Sequence, residues 1–268
     1  MLRMKGEKVT GIEDWEKDLY KKNFLNISED QFDIPIYRVI QIEHFFSMIT
    51  EHENVLVKPS MWDDPFENLI LRGVGQVQNG VFADLDEIRE IFYGQCWTLE
   101  RESDAIWRLY VEPENDGIKI KTTIQKLFHS LYDFFPEPQG LVRAFIGRVE
   151  YLNYHEIVTR LEYYRDNSIF TDLSTRKIVK TLLFKRDAFK HEREVRLIYE
   201  KEYPDYSNDL FRYEIDWKDL IEEIEFDPRM EVEIYEEYRQ ILIELGFDRD
   251  IISRSILYDS PPLLVIKI

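Results

Sequence analysis

The sequence predicts an α+β domain, on three observations. Helical and strand periodicities follow one another without regular alternation, no glycine-rich turn joins a strand to a helix, and the chain has only 10 glycines. Regular alternation would indicate a doubly wound sheet or a barrel, and a glycine-rich turn would indicate a phosphate-cradling loop. At 268 residues and 44% apolar composition, the chain can bury a substantial core.

Residues 11 to 26 read as a short charged helix with Ile12, Trp15, Leu19 and Phe24 as its apolar positions, followed by a polar connector over 27 to 34. Residues 34 to 39 form the first strand of the body. A helix over 41 to 52 follows, with Ile42, Phe45, Phe46 and Ile49 at helical spacing. A strand over 54 to 58 ends at Pro59-Ser60. The spacing predicts a helix over 84 to 92 and extended chain over 95 to 98. A short helix over 103 to 111 starts with Ser103 in the N-cap position. Residues 117 to 121 alternate as a strand and lead into a helix ending near Tyr132. The second half predicts a strand over 143 to 151 and helices near 154 to 165 and 173 to 188, then a glutamate-bearing strand. Extended segments at 211 to 215 and 221 to 226 come next. An amphipathic helix over 231 to 245 carries Ile234, Tyr238, Ile241 and Leu245 on one stripe and stops at Gly246. Strands over 251 to 258 and 263 to 268 complete the chain. The domain reading is a helical extension over 1 to 30 and a single α+β domain over 31 to 268.

Composition narrows the function classes. A net charge of −18 argues against broad nonspecific nucleic-acid binding, whose affinity comes mainly from phosphate contacts. One cysteine, Cys96, leaves no intrachain disulfide and no cysteine-based zinc site, and points to a reducing, cytoplasmic location. No apolar run reaches the length of about 20 residues that spans a bilayer, and no signal-peptide core follows Met1. The five histidines are scattered without metal-binding spacing, so no metal is expected.

Three groups of residues stand out. In Glu192-Arg193-Glu194-Val195-Arg196-Leu197, side chains two apart share a strand face, which groups Glu192, Glu194 and Arg196. Adjacent carboxylates repel, so the pair needs a cation, a metal or a substrate to hold; the plainer reading is a solvated charge ladder on a half-exposed strand. In Ser60-Met61-Trp62-Asp63-Asp64-Pro65-Phe66-Glu67, Asp64 fits an N-cap, Pro65 the first helical position and Glu67 a capping box, while the three carboxylates beside a tryptophan could alternatively position a ligand. Trp107 and Tyr110, three apart on a helix, share a face that is either core or a stacking platform for a base or nicotinamide.

Tyr37-Arg38, Ser60 ahead of Trp62-Asp63-Asp64-Pro65-Phe66-Glu67, Cys96-Trp97, Trp107 with Tyr110, Gly117-Ile118-Lys119-Ile120 and Glu192-Arg193-Glu194-Val195-Arg196-Leu197 occur in that order. This order resembles the bacterial family called domain of unknown function 2971, over about residues 35 to 258. That family tends to carry asparagine where this chain has Asp63, and the resemblance implies a fold but no reaction. A second resemblance supplies one. Arg-Ser-Glu type ADP-ribosyltransferases place an arginine on the first strand, a serine on a middle strand and Glu-x-Glu at a later strand. The fold this implies is a mixed, largely antiparallel split sheet with flanking helices. Carried onto this chain, Arg38 would hold the phosphate or ribose side of NAD and Ser60 would fix the nicotinamide pocket. Trp107 or Tyr110 would stack, Glu194 would stabilise the oxocarbenium-like ribose and Glu192 would orient the acceptor. The usual Ser-Thr-Ser triplet is replaced here by Pro59-Ser60-Met61.

The resulting expectation is a transferase moving ADP-ribose from NAD to a protein or nucleic-acid acceptor, as a bacterial toxin or phage-defence effector with a neutralising or regulatory protein partner and no membrane association. Two rivals stand beside it: a metal-dependent nuclease using Asp63, Asp64, Glu67 and Glu194, and a non-enzymatic module whose acidic surface binds a partner.

Overall fold

A computed structural model describes residues 14–62, 64, 66–67, 74–76, 82–84, 86–135, 143–166 and 175–261. In chain order the elements are α1 (Asp14–Asn23), β1 (Phe24–Leu25), β2 (Pro35–Gln41), α2 (Ile42–Glu51), β3 (Glu53–Val57), β4 (Val74–Gln76), β5 (Phe82–Asp84), α3 (Asp86–Arg89), β6 (Phe92–Thr98), α4 (Asp104–Tyr110), β7 (Gly117–Thr123) and α5 (Ile124–Tyr132). They continue with β8 (Ala144–Arg148), β9 (Glu150–Leu152), α6 (Tyr154–Asp166), α7 (Thr175–Thr181), β10 (Phe184–Arg186), β11 (Glu194–Glu200), β12 (Leu210–Glu214), α8 (Trp217–Leu220), β13 (Glu223–Phe226), α9 (Val232–Glu244) and β14 (Ile252–Arg254). The fold is a mixed sheet flanked by helices. Among described residues the main sheet runs β1-β8-β11-β6-β2-β7-β13-β14, with β3 joined to β6 and β12 joined to β3.

The edge of β6 organises everything that follows. One side of β6 pairs with β11 along its whole length, from Glu194↔Thr98 to Glu200↔Phe92. Its other side is shared by two strands. β2 touches it only at Tyr37↔Thr98, and β3 only at Val57↔Gly94. Between those two points β2 and β3 diverge, and a gap opens beside Gln95, Cys96 and Trp97.

The two faces of the sheet carry different cores. Val195 and Leu197 of β11 join Trp97, Ile36, Ile40, Ile118 and Ile120 against α2 and α5, where Phe45, Leu127 and Phe128 are fully buried. Ile198 faces the other way, into a smaller cluster with Phe92, Phe145, Leu182 and Leu183. The N-terminal helix contributes Leu19 and Tyr20 to the larger core, and β1 continues directly into the sheet. No described helix is long and apolar enough to cross a membrane.

Several local expectations are corrected. The helix predicted over 173 to 188 ends at Thr181, because the carbonyls a longer helix would use internally are taken by neighbours. The Leu182 carbonyl accepts from Arg196 at 2.7 Å, and the Leu183 carbonyl accepts from the Glu150 amide at 2.7 Å. Phe184-Lys185-Arg186 then pairs in parallel with β9. The strand predicted over 143 to 151 is two strands, broken at Val149, whose amide donates to the Glu194 carbonyl. The helix predicted over 84 to 92 shrinks to Asp86–Arg89, since Phe82–Asp84 pairs with β4 and Phe92 already belongs to β6. The last strand covers only 252 to 254, and the strand predicted over 263 to 268 lies outside the described residues. Gly246, predicted to stop the amphipathic helix, follows α9 with φ of +94°, a conformation that glycine adopts without a Cβ penalty.

Gly94 lies where β3 reaches β6, and the Trp62 ring rests on it: an added Cβ would stand 2.7 Å from the ring. Gly94→Ala must push the indole away, so it is expected to lower stability by about 1–3 kcal/mol, as overpacking does. A shift of the urea midpoint at unchanged slope would show this, and an unchanged midpoint would disprove the contact.

Candidate functional site

A cavity of about 490 Å³ opens over this gap. Tyr37, Arg38 and Val39 of β2 line one wall, Val55 and Val57 of β3 another, and Gly94 to Thr98 of β6 the floor. Met61, Trp62, Asp64 and Glu67, with Leu109 and Tyr110 of α4 and Lys185, Arg186, Phe189, Glu192 and Glu194, complete its lining. Its size falls in the range of small-molecule sites.

The glutamates do not form a solvated ladder. Glu192 and Glu194 are only 4% and 3% exposed. Glu192 is not on the strand either: it ends a 3₁₀ segment (Asp187–Glu192), and Arg193 turns the chain with φ of +44°. That left-handed residue, costly for a side chain with a Cβ, lets a turn residue and a strand residue aim at one point. The turn is fixed by Thr98, whose hydroxyl donates to the Glu192 carbonyl at 2.6 Å, and by an Arg193–Glu100 ion pair at 2.9 Å.

The point they share is the Lys185 ammonium. It lies 2.5 Å from Glu194, 2.8 Å from Glu192 and 3.3 Å from Glu67. Arg196, buried beneath, meets Glu194 at 2.7 Å and Glu67 at 2.8 Å, and the Trp62 ring lies over its guanidinium at 4.3 Å. Three carboxylates thus face two cations. Burial raises the proton affinity of both glutamates, but they end far apart. For Glu194 the charges of Arg196 and Lys185 outweigh burial and hold the carboxyl well below its usual range. For Glu192 burial and the neighbouring Glu194 prevail, and its pKa is pushed up to about 7. Burial would lower the Lys185 pKa, but Glu194 and Glu67 more than offset this and keep it charged.

Arg38 of β2 carries the reverse imbalance. Arg38 follows Tyr37 just where β2 parts from β6, and its guanidinium lies near Cys96, Tyr110 and Tyr213. Burial lowers its pKa to about 10, so it remains a cation at neutral pH. Arg38 is half-buried, and its Nη1 is buried without a hydrogen-bond partner among the described residues. A buried guanidinium nitrogen left unbonded is costly and suits an anion supplied from outside.

The other candidates divide. Tyr110 lines the cavity: its ring is partly exposed, while its hydroxyl reaches Glu192 at 3.4 Å and has its pKa raised by burial. Trp107 does not line it. The indole is 1% exposed, packed with Val39 and Ile106, and its Nε1 donates to Glu102 at 2.8 Å. Ser60 is exposed on the 3₁₀ turn Pro59–Met61 and is not among the lining residues, unlike Met61 and Trp62 beside it. Asp64 pairs with Arg186 at 2.9 Å, and its Oδ1 accepts from the Phe66 amide as a turn. Residues 66 and 67 are in a turn, Pro65 lies outside the described residues, and Glu67 directs its carboxylate to Arg196 and Lys185. Asp63 lies outside the described residues. Lys185 and Arg186 were missed by sequence reasoning because they were assigned to a helix; five basic or titratable cationic residues within 185–193 were the available signal.

No family model matches the chain, and no curated protein matches it. Among solved structures it is similar to DarT of Thermus sp. 2.9 in complex with NAD+, at 13% identity and a TM-score of 0.35, over 83% of this chain and 96% of that one. The same protein in complex with ADP-ribosylated ssDNA gives 13% identity and 0.36, over 83% and 94%. Likeness at this level carries no argument about fold or activity.

The Glu192 shift has a consequence for stability. Its ordinary value is 4.5, so between pH about 4.5 and about 7 the folded chain holds more proton than the unfolded one. Stability from this group is full below that window and is lost as pH rises through it. Glu192→Gln should therefore melt with a flatter pH dependence than the parent from pH 5 to 8. Parallel melting curves across that range would refute the buried, proton-retaining glutamate.

Proposed function

We propose that this cavity cleaves the nicotinamide–ribose bond of NAD and transfers ADP-ribose to an acceptor. The reading rests on one observation: a buried carboxylate held ionised, Glu194, lines the same cavity as Arg38, a half-buried arginine whose Nη1 is buried without a hydrogen-bond partner among the described residues. NAD needs both. As the C1′–N bond breaks, the electron pair leaves with neutral nicotinamide and positive charge develops on the ribose, where a fixed carboxylate stabilises it more in the transition state than in the ground state. The diphosphate is anionic throughout, and an arginine can bind it through two parallel hydrogen bonds. Glu192, with a pKa about 7, is suited to take the proton that the acceptor loses as its bond to C1′ forms. Tyr110 supplies the aromatic wall.

The metal-dependent alternative is less well served. Of its residues, Glu67 and Glu194 are bridged by Lys185 and Arg196, Asp64 pairs with Arg186, and Asp63 lies outside the described residues. Among the described residues no group of acidic, histidine or cysteine side chains is arranged to hold a metal ion.

Incubation with NAD and a cell extract, followed by mass spectrometry for added ADP-ribose on protein and nucleic acid, tests the activity and reads the acceptor class. Glu194→Gln keeps shape and removes charge; turnover should fall by about 10²–10³-fold, as for loss of one preorganised electrostatic contact. Undiminished NAD cleavage by that variant removes Glu194 from the chemistry. Arg38→Lys should weaken NAD binding by calorimetry, because lysine lacks the two-pronged fork. Equal affinity would leave Arg38 as a fold residue only.

A further inference from the structure

We propose that Lys185 is a positioning residue: its ammonium clamps the Glu192 and Glu194 carboxylates together and thereby sets the pH at which Glu192 gives up its proton. The kinetic part of this inference rests on the transfer reading above; the titration itself does not.

The geometry makes the clamp specific. Glu192 and Glu194 belong to different local structures, a 3₁₀ turn and a strand, with the left-handed Arg193 between them. Their carboxylates would repel without a shared cation. Lys185 reaches both from a third element, β10, at 2.8 and 2.5 Å, and is itself locked in place. Phe189 lies over its ammonium at 4.9 Å, and β10 pairs residue for residue with β9, Lys185 standing opposite Tyr151. The Tyr151 hydroxyl in turn accepts from the Glu194 amide at 2.8 Å, so the strand carrying the glutamate and the strand carrying the lysine share one support. Arg196 cannot substitute. It is bonded to Glu194, Glu67 and the Leu182 carbonyl, and no described contact joins it to Glu192.

The charged and titratable groups facing Glu192 come from every surrounding element. Lys185 of β10, Glu194 of β11, Tyr110 of α4 and Tyr151 of β9 act directly on its carboxyl environment. Arg196 of β11, Cys96 of β6 and Glu67 belong to the same network through Glu194 and Lys185. The phenol and thiol have pKa values raised by burial, so they stay neutral near pH 7. The nearest positive charge bonded to Glu192 is therefore Lys185. A cation at this distance favours the ionised carboxylate by about 1–3 pH units, and removing it raises the midpoint.

The test follows the Glu192 carboxyl carbon by NMR in ligand-free protein, with Glu192→Gln to assign the resonance. Lys185→Met should raise the midpoint by at least about one pH unit, while Lys185→Arg, which keeps the charge, should leave it near the parent value. In NAD cleavage, the acidic limb of the rate profile should move in the same direction for Lys185→Met and return with Lys185→Arg. Should Lys185→Met fail to fold, Lys185→Gln against Lys185→Arg gives the same comparison. An unshifted Glu192 midpoint in the neutral variant overturns the proposal, as does an equal shift in the arginine variant. A shifted midpoint in a protein that never consumes NAD supports the clamp and removes the transfer reading alone.

Discussion

Five charged side chains, Glu67, Glu192, Glu194, Lys185 and Arg196, are buried together at the end of β11, and the local architecture is the solution to keeping them there. Isolated burial of any one would cost several kcal/mol, and only a closed arrangement of opposite charges makes it tolerable. The arrangement consumes contacts that would otherwise complete regular structure. The Leu182 carbonyl leaves its helix to receive Arg196, Arg193 adopts a left-handed turn to free Glu192, and β8 breaks before β9 so that Val149 can bond beside Glu194. Each irregularity in this quarter of the fold therefore has an electrostatic cause.

The second organising constraint is the divided edge of β6. A strand flanked on both sides along its length leaves no room for a ligand within the sheet. Here β2 and β3 each touch β6 at a single pair of residues, and the space between them becomes the cavity. The same divergence leaves Arg38 with no ion pair among the described residues. The cavity thus joins a cluster of paired charges to a separate arginine.

Much of this was legible in the chain, and the failures are instructive. The α+β class, the stripe of α2 and the strand bearing Glu194 follow from periodicity, since each is a run long enough for one pattern to prevail. Arg38 was conspicuous as a charge inside an apolar strand. Lys185 was invisible because the decision to end α7 at Thr181 is made by Arg196 and Glu150, which bond the next two carbonyls from afar. Glu67 read as a capping residue because local spacing cannot reveal a partner 129 positions away. Trp107 and Tyr110 share a helix face by spacing, yet the helix rolls one indole into an apolar cluster and leaves one phenol at the cavity, a choice made by Val39 and Ile106.

Trp62 joins the two constraints in one side chain. Its ring rests on Gly94 of β6 and lies over the Arg196 guanidinium, at the border of the cavity. Trp97, Trp107 and Trp217 are buried, whereas Trp62 is only partly covered. An indole beside a buried guanidinium experiences a strong local field, and its emission responds to changes in that field and in its solvent contact. The molecule therefore carries an intrinsic ultraviolet fluorophore at the junction of its charge cluster and its cavity.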